Sequence, residues 1–211
     1  MRLFFVCCIS RALLVAAVLT LTACGDKSLS ESLQSLISPD KVAFQNTDIT
    51  GIDYAKNFTL TDHHGKTRSL ADFKGKAVVI FFGYTQCPDV CPTTMAEMAT
   101  VMQELGPLSD RVQVLFVSID PERDTQALLA QYVPAFDSRF LGMVGDKAAT
   151  EKIAKDFRIF YQKVPGKEPG TYTMDHTAGS YVFDPQGRMR LFIRHGQGAA
   201  PIVSDLKLLL K

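Results

Sequence analysis

The chain has 211 residues, 23 Lys and Arg against 22 Asp and Glu, and a formal net charge of +1. Near-neutrality excludes the basic footprint that a nucleic-acid partner requires. A chain of this length buries a full core without a disulfide or metal staple, so any metal it holds need not be structural.

The first residues predict the compartment. Arg2 and Arg11 accompany a small, apolar run from Ala12 to Ala23, the parts of a secretory signal. Leu21-Thr22-Ala23-Cys24-Gly25 resembles the lipobox of bacterial lipoproteins, in which the cysteine carries lipid and becomes the mature N-terminus. That resemblance implies a signal peptide over 1–23 and lipidation at Cys24. An uncleaved span from Leu3 to Ala23 would instead place Arg11 at mid-bilayer, which costs about 3 kcal/mol. Either way the expected location is the cell envelope, with the protein anchored to a membrane at its periplasmic face, where disulfides form. Residues 24–40, Ser-rich from Gly25 to Pro39, predict a flexible tether, and residues 41–211 one globular domain.

Strands and helices then alternate. Phe58–Asp62 and Lys66–Leu70 predict an N-terminal hairpin turning at Asp62 to Gly65. The continuous apolar run within Lys76–Gly83 predicts a central buried strand. Thr93–Leu105 predicts a helix with Met95, Met98, Val101 and Met102 on its core face. A strand at Val112–Ile119, a helix at Thr125–Tyr132, a strand at Phe140–Val144 and a helix at Lys147–Phe157 follow. Ser180–Asp184 and Arg190–Arg194 predict a hairpin around Pro185-Gln186-Gly187, and Pro201–Leu210 a closing helix. This alternation predicts an α/β domain with a largely parallel or mixed central sheet flanked by helices.

Of five cysteines, Cys7 and Cys8 lie in the signal and Cys24 at its end, so Cys87 and Cys91 are the thiols left to the domain. Four apart at the start of a helix, they share a face and form either a redox pair or two soft metal ligands. As a staple they would close a very short loop, where the entropic gain is least. The pair stands between the predicted central strand and its helix, the layout of thioredoxin-like domains. A helix N-terminus there favours thiolate at Cys87.

Three separated motifs extend the argument: Gly83-Tyr84-Thr85-Gln86-Cys87-Pro88-Asp89-Val90-Cys91-Pro92-Thr93-Thr94, Ser118-Ile119-Asp120-Pro121-Glu122-Arg123-Asp124, and Asp175-His176-Thr177 with Tyr181-Val182-Phe183-Asp184-Pro185-Gln186-Gly187. Together they resemble the Sco/SenC family of copper-binding proteins from about Phe58 to the C-terminus. The resemblance implies copper ligation by Cys87, Cys91 and His176. It implies a metallochaperone that delivers copper to, or reduces the cysteines of, the binuclear copper centre in cytochrome c oxidase subunit II. A thiol reductant and another copper chaperone would be further partners. The ligand set suits Cu(I) on chemical grounds, whereas a structural zinc site would want a fourth protein ligand.

Two rival functions share the dithiol: a thiol-disulfide oxidoreductase that reduces a partner's cysteines, and a thiol peroxidase. The peroxidase is disfavoured because Tyr84 stands where peroxiredoxins place a threonine, three residues before the reactive cysteine. His63 and His64 are expected in a solvated turn and Asp89 at a helix cap; the carboxylates from Asp120 to Asp124 are expected to order their loop and pair with Arg123, with a tuning role at the site as the alternative for Asp120. His195 belongs to no motif.

Overall fold

The computed structural model describes residues 43–211, of which 44–211 form one compact unit. The signal over 1–23, Cys24 and the tether over 24–40 lie outside the described residues. The described residues hold ten strands: β1 (Thr47–Asp48), β2 (Thr59–Asp62), β3 (Thr67–Ser69), β4 (Ala77–Gly83), β5 (Val112–Ser118), β6 (Leu141–Val144), β7 (Tyr161–Pro165), β8 (Tyr172–His176), β9 (Gly179–Phe183) and β10 (Met189–Arg194). The helices are α1 (Val90–Leu105), α2 (Gln126–Tyr132), α3 (Lys147–Asp156) and α4 (Ala199–Leu209).

Eight strands form one sheet in the order β1-β10-β9-β4-β5-β6-β2-β3. β4, β5 and β6 run parallel; on one side β9 pairs antiparallel with β4 and β10 antiparallel with β9, and on the other β2 pairs antiparallel with β6 and β3 antiparallel with β2. β4 is buried along its whole length because it has a strand on either side and both of its faces are covered, which is why its sequence is an unbroken apolar run. α1 follows β4 and packs with α4, and α2 packs on β6. A parallel β4-α1-β5 unit, an antiparallel β9-β10 hairpin and a C-terminal helix beside α1 give the thioredoxin-like fold the sequence predicts. Met95, Met98 and Met102 are buried core residues of α1.

One local device is used twice. Asp62-His63-His64-Gly65-Lys66-Thr67-Arg68 and Asp184-Pro185-Gln186-Gly187-Arg188-Met189-Arg190 share the pattern Asp-x-x-Gly-(Lys/Arg)-x-Arg. In the first, Asp62 Oδ1 accepts the His64 and Lys66 backbone N–H groups at 3.0 and 2.9 Å, and Oδ2 accepts Arg68 Nε at 2.7 Å. In the second, Asp184 Oδ1 accepts the Gln186 and Arg188 N–H groups at 3.1 and 2.9 Å, and Oδ2 accepts Arg188 Nε and Arg190 Nη1. Gly65 and Gly187 occupy the left-handed region, with φ of +86° and +78°, that lets each turn close. Two β-hairpins are thus folded around buried carboxylates.

Two expectations need correction, and one is met in position only. His63 is buried rather than solvated: its Nδ1 accepts the Gly142 N–H at 2.9 Å and its own N–H donates to the Gly142 carbonyl at 2.8 Å, tying the β2–β3 turn to β6. α1 starts at Val90 rather than Thr93, since Pro92 in the first turn lacks only an N–H that has no intrahelical partner there. Asp89 is the N-terminal cap by position, but its carboxylate makes no cap bond; its backbone carbonyl accepts the Thr93 N–H and hydroxyl. The stretch between α3 and β9, for which no element is predicted, folds as a two-stranded ribbon of β7 and β8 that pairs only with itself.

Candidate metal centre

The site is assembled from three pieces of chain. The loop leaving β4 carries Cys87, the first turn of α1 carries Cys91, and the last residue of β8 is His176. Their Cys87 Sγ, Cys91 Sγ and imidazole nitrogen donors all lie within 4.8 Å of one another, and no other group of three such side chains that could hold a metal occurs among the described residues. Both cysteines are free thiols, Cys91 fully buried and Cys87 half-buried. The Cys91 backbone N–H, one of the orphan donors of the helix start, points at Cys87 Sγ at 3.4 Å.

The imidazole is oriented before any ligand arrives. His176 Nδ1 is 3.1 Å from the Thr177 carbonyl oxygen, which can only accept, so Nδ1 carries the proton and Nε2 keeps its lone pair. Nε2 faces Cys91 Sγ at 3.6 Å. The rings of Tyr84 and Phe81 pack edge-on against the imidazole, at centroid distances of 6.0 and 6.2 Å. Tyr84 also accepts the Met174 backbone N–H on its hydroxyl at 3.2 Å, linking the ribbon to the cysteine loop. Gly83 makes room for the buried thiol, because a Cβ there would stand 2.8 Å from the Phe81 ring and 3.0 Å from Cys91 Sγ.

Burial sets the protonation states. It pushes the Cys91 thiol far above its usual range; the Tyr84 backbone N–H counters this, and neighbouring Cys87 and Asp124 add to it. Burial also lowers His176, against the opposing pull of the Thr177 carbonyl and Asp175, so the imidazole is neutral at neutral pH. A neutral thiol facing a neutral imidazole is a site that takes a cation by releasing protons.

The second motif divides into two roles. Asp120 pairs with Arg123 at 2.5 Å and accepts the Tyr172 hydroxyl at 2.8 Å, the loop-ordering role expected of it. Asp124 turns inward and accepts the Thr85 hydroxyl at 2.5 Å, the Thr85 N–H and the Ser118 hydroxyl at 2.7 Å, which pins the cysteine loop to the end of β5. His195 bonds through Nδ1 to Thr94 at 3.1 Å, one turn beyond Cys91 on α1. The sequence signal for Asp124 and Tyr84 is their place in the second and first motifs, which does not show what either side chain touches; for His195 there is none.

The donor set fits a soft, low-coordinate ion. Two thiolates and one imidazole match Cu(I), and the absence of a fourth clustered donor among the described residues does not suit structural zinc.

Residues 46–211 match the family model described as SCO1/SenC. Among curated proteins, the mitochondrial SCO2 homolog of Bos taurus is 35% identical over 153 residues, a match covering 72% of this chain and 58% of that protein. The chain therefore spans little more than half the length of that relative. Among solved structures, Bradyrhizobium japonicum ScoI with copper bound is 42% identical, with a TM-score of 0.68 over 73% of this chain and 98% of that one. Apo Sco1 of Thermus thermophilus is 38% identical, with a TM-score of 0.71 over 82% and 100% of the two chains. A family match that runs through Cys87, Cys91 and His176 to the last residue places this chain in the SCO1/SenC family.

Proposed function

We propose that the chain is a copper metallochaperone that takes part in assembling the binuclear copper centre of cytochrome c oxidase subunit II. Cys87, Cys91 and His176 hold the ion as cargo, and Cys24 anchors the protein by lipid to a membrane at the periplasmic face. The observation that carries this reading is the converging triad, with a lone pair on His176 Nε2 facing Cys91 Sγ at 3.6 Å. The copper-bound state of the similar ScoI from Bradyrhizobium japonicum supports it. Half-exposed Cys87 gives a partner's thiolates a place to attack, so ligands exchange one at a time while Cys91 and His176 retain the ion. Copper supplies a thiophilic centre that keeps both thiols occupied. After its transfer both thiols are free; exchange with a disulfide-bearing partner would join them as a Cys87–Cys91 disulfide while that partner leaves as a dithiol, and an external dithiol reductant must return the two electrons.

Deleting the gene tests this reading. Cytochrome c oxidase activity is expected to fall in copper-poor medium and to return with the parent gene but not with His176→Ala. Normal oxidase in the deletion strain under copper limitation would refute the assembly role.

A further inference from the structure

His176 arrives on a ribbon that lies outside the main sheet, since β7 and β8 pair only with each other. The chain re-enters the sheet at Gly179, so covalent structure holds one end of the ribbon near the thiols. Side chains must hold the rest. The Lys163–Glu122 ion pair and the Tyr84 hydroxyl on the Met174 N–H hold part of it, and Arg123, on the loop after β5, makes the largest group of such contacts. Its Nε pairs with Asp120 at 2.5 Å. Its Nη1 donates to Gln86 Oε1, beside Cys87, at 3.0 Å and to the Tyr172 carbonyl on β8 at 2.9 Å. The guanidinium lies 3.6 Å from the centre of the Tyr172 ring and 5.6 Å from that of Tyr84. Tyr172 closes the circuit by donating its hydroxyl to Asp120.

The geometry points to Arg123 as a positioning residue of the metal centre. It ties the cysteine loop, through Gln86 and Tyr84, to the ribbon, through the Tyr172 carbonyl and ring, and so sets the separation between the imidazole and the thiols. This inference rests on the copper reading of the site. Only a planar, forked cation serves every contact at once, because one face must stack on Tyr172 while the edge donates to three oxygens on three segments. Lysine keeps the charge and loses the fork.

The test measures Cu(I) affinity by competition with a chromogenic chelator in the parent, Arg123→Met, Arg123→Lys, His176→Ala and the Arg123→Met/His176→Ala double variant. Arg123→Met is expected to bind about 10- to 100-fold more weakly, the scale on which outer contacts of a metal ligand act. Arg123→Lys should recover little of that loss. The double variant should bind no more weakly than His176→Ala alone, because Arg123 acts through the imidazole. In the metal-free protein, Arg123→Met should lose the nuclear Overhauser contacts between the His176 and Tyr84 rings. The amide spectrum of the eight-stranded sheet and the titration of two reactive thiols should stay as in the parent. Should Arg123→Met fail to fold, Arg123→Lys carries the same comparison. Parental affinity in the folded Arg123 variants, or a further loss on the His176→Ala background, would overturn the inference alone. Parental affinity in His176→Ala would overturn the copper reading and this inference with it.

Discussion

Replacing Cys91 by serine is expected to abolish stoichiometric Cu(I) binding, a larger loss than the roughly 10- to 100-fold that removal of an outer supporting contact produces. Serine is close in size, so the fold survives, but its hydroxyl is a hard, weakly acidic donor where Cu(I) requires a soft anion. The position is fully buried beneath Gly83 and beside Tyr84, so no other donor can move in to substitute. Cys87→Ser should lose the ion as well. The two variants differ in their remaining thiol: Cys91→Ser leaves half-exposed Cys87 open to alkylating reagents, whereas Cys87→Ser leaves a thiol that burial both hides and keeps protonated. Because binding must expel that proton, affinity in the parent should rise with pH across the neutral range. Competition titrations and thiol labelling of the three proteins check each of these outcomes.

The second large effect falls on the twin hairpin turns. Asp62 and Asp184 are buried, and burial alone would raise their pKa values; the backbone N–H groups and arginines bonded to them outweigh it and hold both carboxyls below the usual aspartate value of 3.8. A folded-state pKa below the unfolded one means stability that is fully present above about pH 4 and is lost as pH falls through the folded value. Removing the carboxylate leaves two backbone donors unpaired in each turn, together with Arg68 at Asp62 and with Arg188 and Arg190 at Asp184, so Asp62→Ala or Asp184→Ala should cost about 3 kcal/mol at neutral pH. Urea unfolding between pH 7 and pH 3 measures this. Each variant should start lower than the parent and lose less on acidification, since one of the titrating groups responsible for the loss is gone.

The parts of this molecule that were legible in its sequence are those whose physics is local. β4 announced itself by an unbroken apolar run because a strand buried on both faces has no polar position. The cysteine pair and the helix behind it were equally plain. The β7–β8 ribbon was not, because Tyr161-Gln162-Lys163-Val164-Pro165 is exposed or half-buried throughout and carries no apolar run for a periodicity to reveal. His176 was therefore identified through its motif, while the strand that delivers it went unread. His63 looked like a turn residue because its burial depends on Gly142, 79 residues away. Asp124 and Asp120 look alike in sequence. Both are buried, but the way the loop after β5 folds turns Asp124 to Thr85 on the cysteine loop and Asp120 to Arg123 and Tyr172 on the ribbon side.

In the proposed copper site, two thiolates and one imidazole of this chain hold the same ion. X-ray absorption at the copper edge of the Cu(I)-loaded protein tests it most directly, because sulfur and imidazole nitrogen scatter distinguishably. A shell of two sulfurs and one nitrogen is expected, with the imidazole signature absent from His176→Ala. A sulfur-only shell in the parent, or a spectrum unchanged by His176→Ala, would contradict it.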